Sequence, residues 1–142
     1  MSKAIDLQAE AEIEIPFYDL DPMNVVWHGN YANYFELARS RLLAKINYSY
    51  AEMKESGYFW PVIDLHIRFV RPATFGQKLI CCARLVEYEN RLKIAYTIAC
   101  KQTGERLTKG TTVQVAVDSI SGEMQFVSPQ IILQKLGVSD AT

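Results

Sequence analysis

A single long amphipathic helix, set between one strand and a run of later strands, constrains this chain more than any other feature. Tyr31, Tyr34, Phe35, Ala38, Leu42 and Ile46 recur at steps of three and four, which places them along one face of an α-helix. Asn33, Glu36 and Ser40 fall off that face. Such a stripe needs a cover, and the other apolar faces in the chain alternate with a period of two. Ala9, Ala11, Ile13, Ile15 and Phe17 alternate with Glu10, Glu12 and Glu14, so a half-buried strand is predicted over 9–17. After the helix, Ser49-Tyr50-Ala51-Glu52 carries a capping-box pattern. It predicts a short second helix stopped by Gly57. Ile63, Leu65, Ile67 and Phe69 then alternate with Asp64, His66 and Arg68, a strand with one polar face. A turn is expected over 72–76, then strands near 78–88, 92–102 and 106–118, joined by short hairpins at 89–91 and 103–105. Ser128-Pro129 before Ile131, Ile132, Leu133 and Leu136, closed by Gly137, predicts a C-terminal helical turn with Pro at its first position. One helix against one antiparallel sheet makes an α+β domain, with the later strands wrapped around the helix.

Composition narrows the partners. The 142 residues suffice for one domain, 1–142, with its own core. Lys plus Arg number 15 against 16 Asp plus Glu, a net charge of −1, which argues against nucleic acid or an anionic membrane as partner. The acidic residues near the N-terminus read as a solvated strand face. Three cysteines, with Cys81 and Cys82 adjacent, do not make a disulfide framework, and a reducing cytoplasm is expected. No stretch reads as a signal peptide or a membrane span. No Cys/His spacing suggests a metal and no glycine-rich loop a phosphate, so neither metal nor cofactor is expected.

The chemistry is concentrated between the first strand and the helix. Phe17–Tyr31 holds Asp19, Asp21, Trp27 and His28, and it is broken by Pro22, Asn24 and Gly29, which let the chain turn tightly. The segment delivers Asp21 and His28 to a helix N-terminus, where free N–H groups and the dipole favour negative charge. Taken alone, Asp21 before Pro22 is either a turn former or a carboxylate for acid–base or nucleophilic work. His28 is either a cap or a proton carrier.

The residues Asp19-Leu20-Asp21-Pro22-Met23-Asn24-Val25-Val26-Trp27-His28-Gly29-Asn30-Tyr31, followed by Tyr34-Phe35-Glu36-Leu37-Ala38-Arg39, resemble the signature of hotdog-fold acyl-CoA thioesterases. The nearest branch is the 4-hydroxybenzoyl-CoA thioesterase and YbgC-type group. Arg68-Phe69-Val70-Arg71-Pro72-Ala73 also resembles that group, and the element order is similar along nearly the whole chain. Two departures stand out. Asn24 occupies a place where many relatives have glycine, and Phe17 one where YbgC-like members often have tyrosine. Asn tolerates a left-handed backbone, so the turn can survive.

The resemblance implies a five-stranded antiparallel sheet wrapped around the helix, paired into a homodimer or a homotetramer with sites between subunits. It implies hydrolysis of acyl-CoA without a cofactor, with Asp21 as nucleophile or general base. The backbone at His28 would polarise the thioester carbonyl. An acyl carrier protein thioesterase, a non-catalytic acyl-CoA-binding module and the hydratase branch of the fold are the other readings. Asp19 is read as orienting the loop, and Glu36 as the rival carboxylate, since another hotdog branch takes its acid from the helix. For substrate contacts the candidates are Trp27, Gly29, Tyr31 and Trp60 around the acyl group, together with Tyr34 and Phe59. Arg71, Lys78, Arg91 and Lys93 are the candidates for the CoA phosphates.

Overall fold

The computed structural model describes residues 5–138. Its first strand, β1 (Gln8–Glu14), buries Ala9, Ala11 and Ile13 and exposes the glutamates between them. The strand is shorter than the alternation suggested. Pro16 cannot donate to a sheet ladder, and Phe17 instead opens a 3₁₀ turn, Phe17–Asp19, with 75% of its surface exposed. A second 3₁₀ turn, His28–Asn30, runs directly into α1 (Tyr31–Lys45). The predicted stripe is inside: Tyr31, Tyr34, Phe35, Ala38 and Leu42 are all buried, with Ile46 half-buried beyond the helix end.

The short helix α2 (Tyr50–Ser56) starts at a complete capping box of Ser49 and Glu52 and ends at Gly57, φ 89°. Local chemistry specified that element fully. The remaining strands are β2 (Tyr58–Phe59), β3 (Val62–Phe69), β4 (Lys78–Glu87), β5 (Leu92–Cys100), β6 (Arg106–Gln114) and β7 (Val117–Asp118). The strand expected over 106–118 is thus two, interrupted at 115–116, and β7 pairs with β2 in a small separate ribbon. At the C-terminus α3 (Gln130–Leu136) places Pro129 in the N-cap position rather than the first helical one, with ψ 152°.

The five long strands form one antiparallel sheet in the order β1-β4-β5-β6-β3. The helix α1 lies over β1 and β4. Its fit on the sheet depends on Gly110 of β6, where a Cβ would come within 2.4 Å of the His66 carbonyl and 2.7 Å of the Phe35 ring. With glycine there, Phe35 stacks on Tyr96 of β5 at 4.3 Å between centroids. No helix among the described residues is long and apolar enough to cross a membrane.

Because α1 sits toward β1, the far edge of the sheet is bare. Ile63, Leu65, Phe69 and Val70 are each about half exposed along β3 and its end, and β3 pairs on one side only.

Candidate active site

The loop between β1 and α1 is held by its own backbone. Asp21 N–H donates to the Val25 carbonyl at 2.8 Å, and Asn24 N–H returns to the Asp21 carbonyl at 2.9 Å. Asn24 takes the left-handed conformation, φ 64°. The Asp21 carboxylate accepts from Met23 N–H at 2.8 Å through Oδ1, an Asx turn. Turn former and candidate catalyst are therefore the same residue, each role using a different oxygen. Val26 N–H anchors the loop to the Ala73 carbonyl at 2.8 Å.

Asp19 ties this loop to the helix. Its Oδ2 accepts from Tyr34 Oη at 2.5 Å, and its carbonyl accepts from Asn30 Nδ2 at 3.0 Å and from Trp27 N–H at 2.9 Å. Burial and the adjacent Asp19 carboxylate push the Tyr34 hydroxyl well above the usual phenol range, so it stays a donor. This matches the orienting role read from sequence.

At the helix entry the Trp27 N–H donates to the Asp19 carbonyl and the Asn30 N–H to the Trp27 carbonyl. The N–H groups of His28 and Gly29 have no acceptor among the described residues. Two free donors at the start of a 3₁₀ turn feeding a 15-residue helix suit a developing oxyanion. The Trp27 ring tilts against the His28 imidazole at 5.2 Å and covers Gly29. A Cβ on Gly29 would fall 2.3 Å from that ring. Gly29→Ala is therefore expected to displace the Trp27 ring, shift its fluorescence, and lower kcat/KM about tenfold by misplacing the helix entry.

Asp21, His28, Tyr31, Phe69 and Arg71 line one cavity of about 350 Å³. Tyr31 forms part of its floor, edge-on to Phe69 at 5.0 Å. Arg71 is exposed and ion-paired with Glu105 at 3.4 Å. A wider groove of about 660 Å³ runs between β1 and the last turns of α1. It contains neither Asp21 nor His28.

Other candidates lie elsewhere. Trp60 is 5% exposed, with Nε1 donating to the Tyr48 hydroxyl at 3.0 Å and its carbonyl accepting from Gln114 Nε2 at 2.7 Å. It is a core residue, not a wall of this cavity. Arg91 pairs with Glu87 at 3.1 Å in the β4–β5 hairpin. Lys93 stands in the register row of Asp64, at the end of the sheet remote from Phe69. Glu36 is on the helix exterior, 3.9 Å from Arg39, and does not line the cavity. Sequence reasoning missed Phe69 and Val70 as cavity residues, because contact between β3 and the loop is non-local. It also missed Arg39, a buried cation held by the hydroxyls of Tyr96 and Tyr50.

Residues 15–134 match the family of the thioesterase-like superfamily. The chain belongs to that superfamily. It is a thioester hydrolase of the hotdog fold, as the resemblance implied. YneP of Bacillus subtilis, named as a candidate acyl-CoA thioesterase, is 28% identical over 114 residues, 80% of this chain and 82% of that protein. Among solved structures, the DHNA-CoA thioesterase of Staphylococcus aureus is 30% identical with a TM-score of 0.77, covering 82% of this chain and 78% of that one. A 4-hydroxybenzoyl-CoA thioesterase bound to 4-hydroxybenzoyl-CoA shares the fold at TM-score 0.79 and 15% identity, over 91% of this chain and 98% of that one.

Proposed function

We propose that this superfamily member hydrolyses acyl-CoA thioesters with Asp21 as the catalytic carboxylate and the helix entry as the oxyanion site. One observation carries the reading. A carboxylate oxygen not used by the Asx turn shares a cavity with His28, whose backbone N–H has no acceptor among the described residues. Asp21 either attacks the thioester carbonyl, forming an anhydride that water then opens, or takes a proton from the attacking water. In both routes negative charge develops on the carbonyl oxygen, where a single N–H donor is commonly worth about 3 kcal/mol. The CoA thiolate is a fair leaving group, so these parts suffice.

The name of the Staphylococcus relative and the aromatic lining of the cavity, Tyr31 and Phe69, favour a CoA thioester over one carried by an acyl carrier protein. The working unit is a homodimer paired along β3, and the three free cysteines fit a cytoplasmic setting. Thiol release measured across short, long and aromatic acyl-CoAs tests the activity; no turnover of any would defeat it.

The two roles open to His28 separate cleanly. If its contribution is the backbone N–H, His28→Ala keeps the donor and loses only a hydrogen-bonding side chain. We expect a loss of about tenfold in kcat, with the pH–rate profile unchanged between about pH 5 and 9. A loss as deep as that of removing the carboxylate, with a limb near pH 6–7 gone, would make the imidazole the proton carrier instead.

A further inference from the structure

Strand β3 is open on more than its edge. It pairs with β6 on one side only, and seven of its eight residues are exposed, Ile67 alone being half-buried. An edge this long and this apolar is a template for another strand. Its backbone is oriented for one. A Cβ on Gly110 of β6 would meet the His66 carbonyl, so the backbone groups of His66 turn toward β6. Those of Leu65 and Ile67, one residue away on either side, turn to the open edge.

The two faces of the strand differ. The register sets Leu65 against Thr112, Ile67 against Gly110 and Phe69 against Thr108, on the face toward the Phe35 ring. Asp64, His66 and Arg68 share the opposite face, where β6 brings Val113, Thr111 and Lys109 against them. Arg68 therefore faces a like charge, which destabilises a sheet. Neither Asp64 nor Arg68 has an ion-pair partner among the described residues. The open edge is the side left to supply one.

The order Asp64, His66, Arg68 is its own complement when reversed, and an antiparallel strand runs reversed. In a pairing centred on His66, each Arg68 falls opposite Asp64 of the other protomer, and His66 falls opposite its copy. On the other face Leu65 falls opposite Ile67. Facing side chains share a face, so the pairing can shift only by moving its centre to another residue. Centred on Asp64 or on Arg68, it sets like charges together at the axis. Centred on Ile67, it sets His66 against Arg68, and centred on Leu65 it leaves Arg68 without a carboxylate. An exposed ion pair adds little affinity. Apolar contact on the other face holds the copies, and the charges select the register.

We infer that β3 pairs antiparallel with β3 of a second copy in the register centred on His66, with two Asp64–Arg68 ion pairs between protomers. The inference rests on the homodimer proposed above and specifies how it pairs. It bears on the active site, because Phe69 and Val70 line the cavity of Asp21 and His28. In this register they come beside Val62 of the other protomer, a residue 41% exposed in the isolated chain. The cavity so gains an apolar wall that one chain does not have.

Facing residues whose backbone groups turn away from each other lie about 4.5 Å apart at Cα, within disulfide reach. In a Cys82→Ser background, which removes the one cysteine that is not buried, His66→Cys is expected to form a covalent dimer under mild oxidation, read on a non-reducing gel. Leu65→Cys and Ile67→Cys are not, because each is offset from its own copy by two residues, about 8 Å. Asp64→Arg and Arg68→Asp are each expected to weaken the dimer about tenfold in sedimentation, since each sets two like-charge pairs across the seam. The combined swap Asp64→Arg/Arg68→Asp is expected to restore wild-type affinity within about threefold. Cross-linking at 65 or 67 in place of 66 overturns the register, as does a combined swap that binds no tighter than its parts. A dimer that cross-links at none of the three overturns it by placing the interface off β3. Wild-type protein that sediments as a monomer defeats the homodimer reading itself, and the register with it.

Discussion

Asp21→Asn is expected to lower kcat by at least about a hundredfold with little change in KM, a loss of about 2.7 kcal/mol in transition-state stabilisation. The substitution is well matched to the geometry. The Asx turn needs an acceptor for Met23 N–H at 2.8 Å, and the asparagine carbonyl oxygen supplies one. The backbone bonds from Asp21 to Val25 and from Asn24 to Asp21 do not involve the side chain at all. The loop should therefore stand, and only the charge that attacks the carbonyl or deprotonates water is lost. Circular dichroism and the thermal midpoint check the fold, while thiol release at saturating acyl-CoA checks the chemistry. Wild-type turnover in this variant would move catalysis elsewhere. Glu36 would be tested next, although its side chain is directed to Arg39, 3.9 Å away, outside the cavity.

What could be read in the sequence was what is decided locally. The capping box of α2 and its stop at Gly57 depend on residues within one turn of each other. The stripe of α1 depends on spacing alone, and both follow the sequence faithfully. That Asp21 and His28 would lie close together was legible for a similar reason, since one short loop carries both, and they line the same cavity. Errors came where alternation outran its physical support. The period-two pattern continued through Phe17, but Pro16 has no N–H for the ladder and the chain turned outward. The alternation of Val113, Val115 and Val117 with Gln114 and Ala116 hid the break between β6 and β7. Non-local contacts left no local trace. The clamp of Tyr34 on Asp19, the burial of Trp60 against Tyr48, and the Arg68–Lys109 pair all depend on sheet register or on residues more than ten positions apart. Of these, only the orienting role of Asp19 was anticipated, through the resemblance of its loop rather than through any spacing.

The other large effect is expected at the bare edge of the sheet. Leu65→Lys should convert the protein to a monomer at assay concentrations and lower turnover at least about a hundredfold, because the cavity of Asp21 and His28 opens beside the end of β3, the edge along which the proposed homodimer pairs. Leu65 is 45% exposed in the isolated protomer, so the substitution removes little of the protomer's own core. Its cost falls on the contact that covers it, where burying such a side chain contributes roughly 1.5–3 kcal/mol. Ile63, Phe69 and Val70 share that position, and a lysine among them places a charge in an apolar seam. In an antiparallel pairing of β3 with its copy, Val62 of one protomer approaches Phe69 of the other. Each partner then brings the segment near β2 and β7, with exposed Phe59 and Phe126, toward the opposite cavity. Sedimentation velocity gives the assembly state, and thiol release over a range of protein concentrations gives its link to activity. A Leu65→Lys monomer with wild-type turnover would show that one chain builds the whole site and would remove the partner from the mechanism. A dimer that persists at wild-type affinity would instead place the interface on another face.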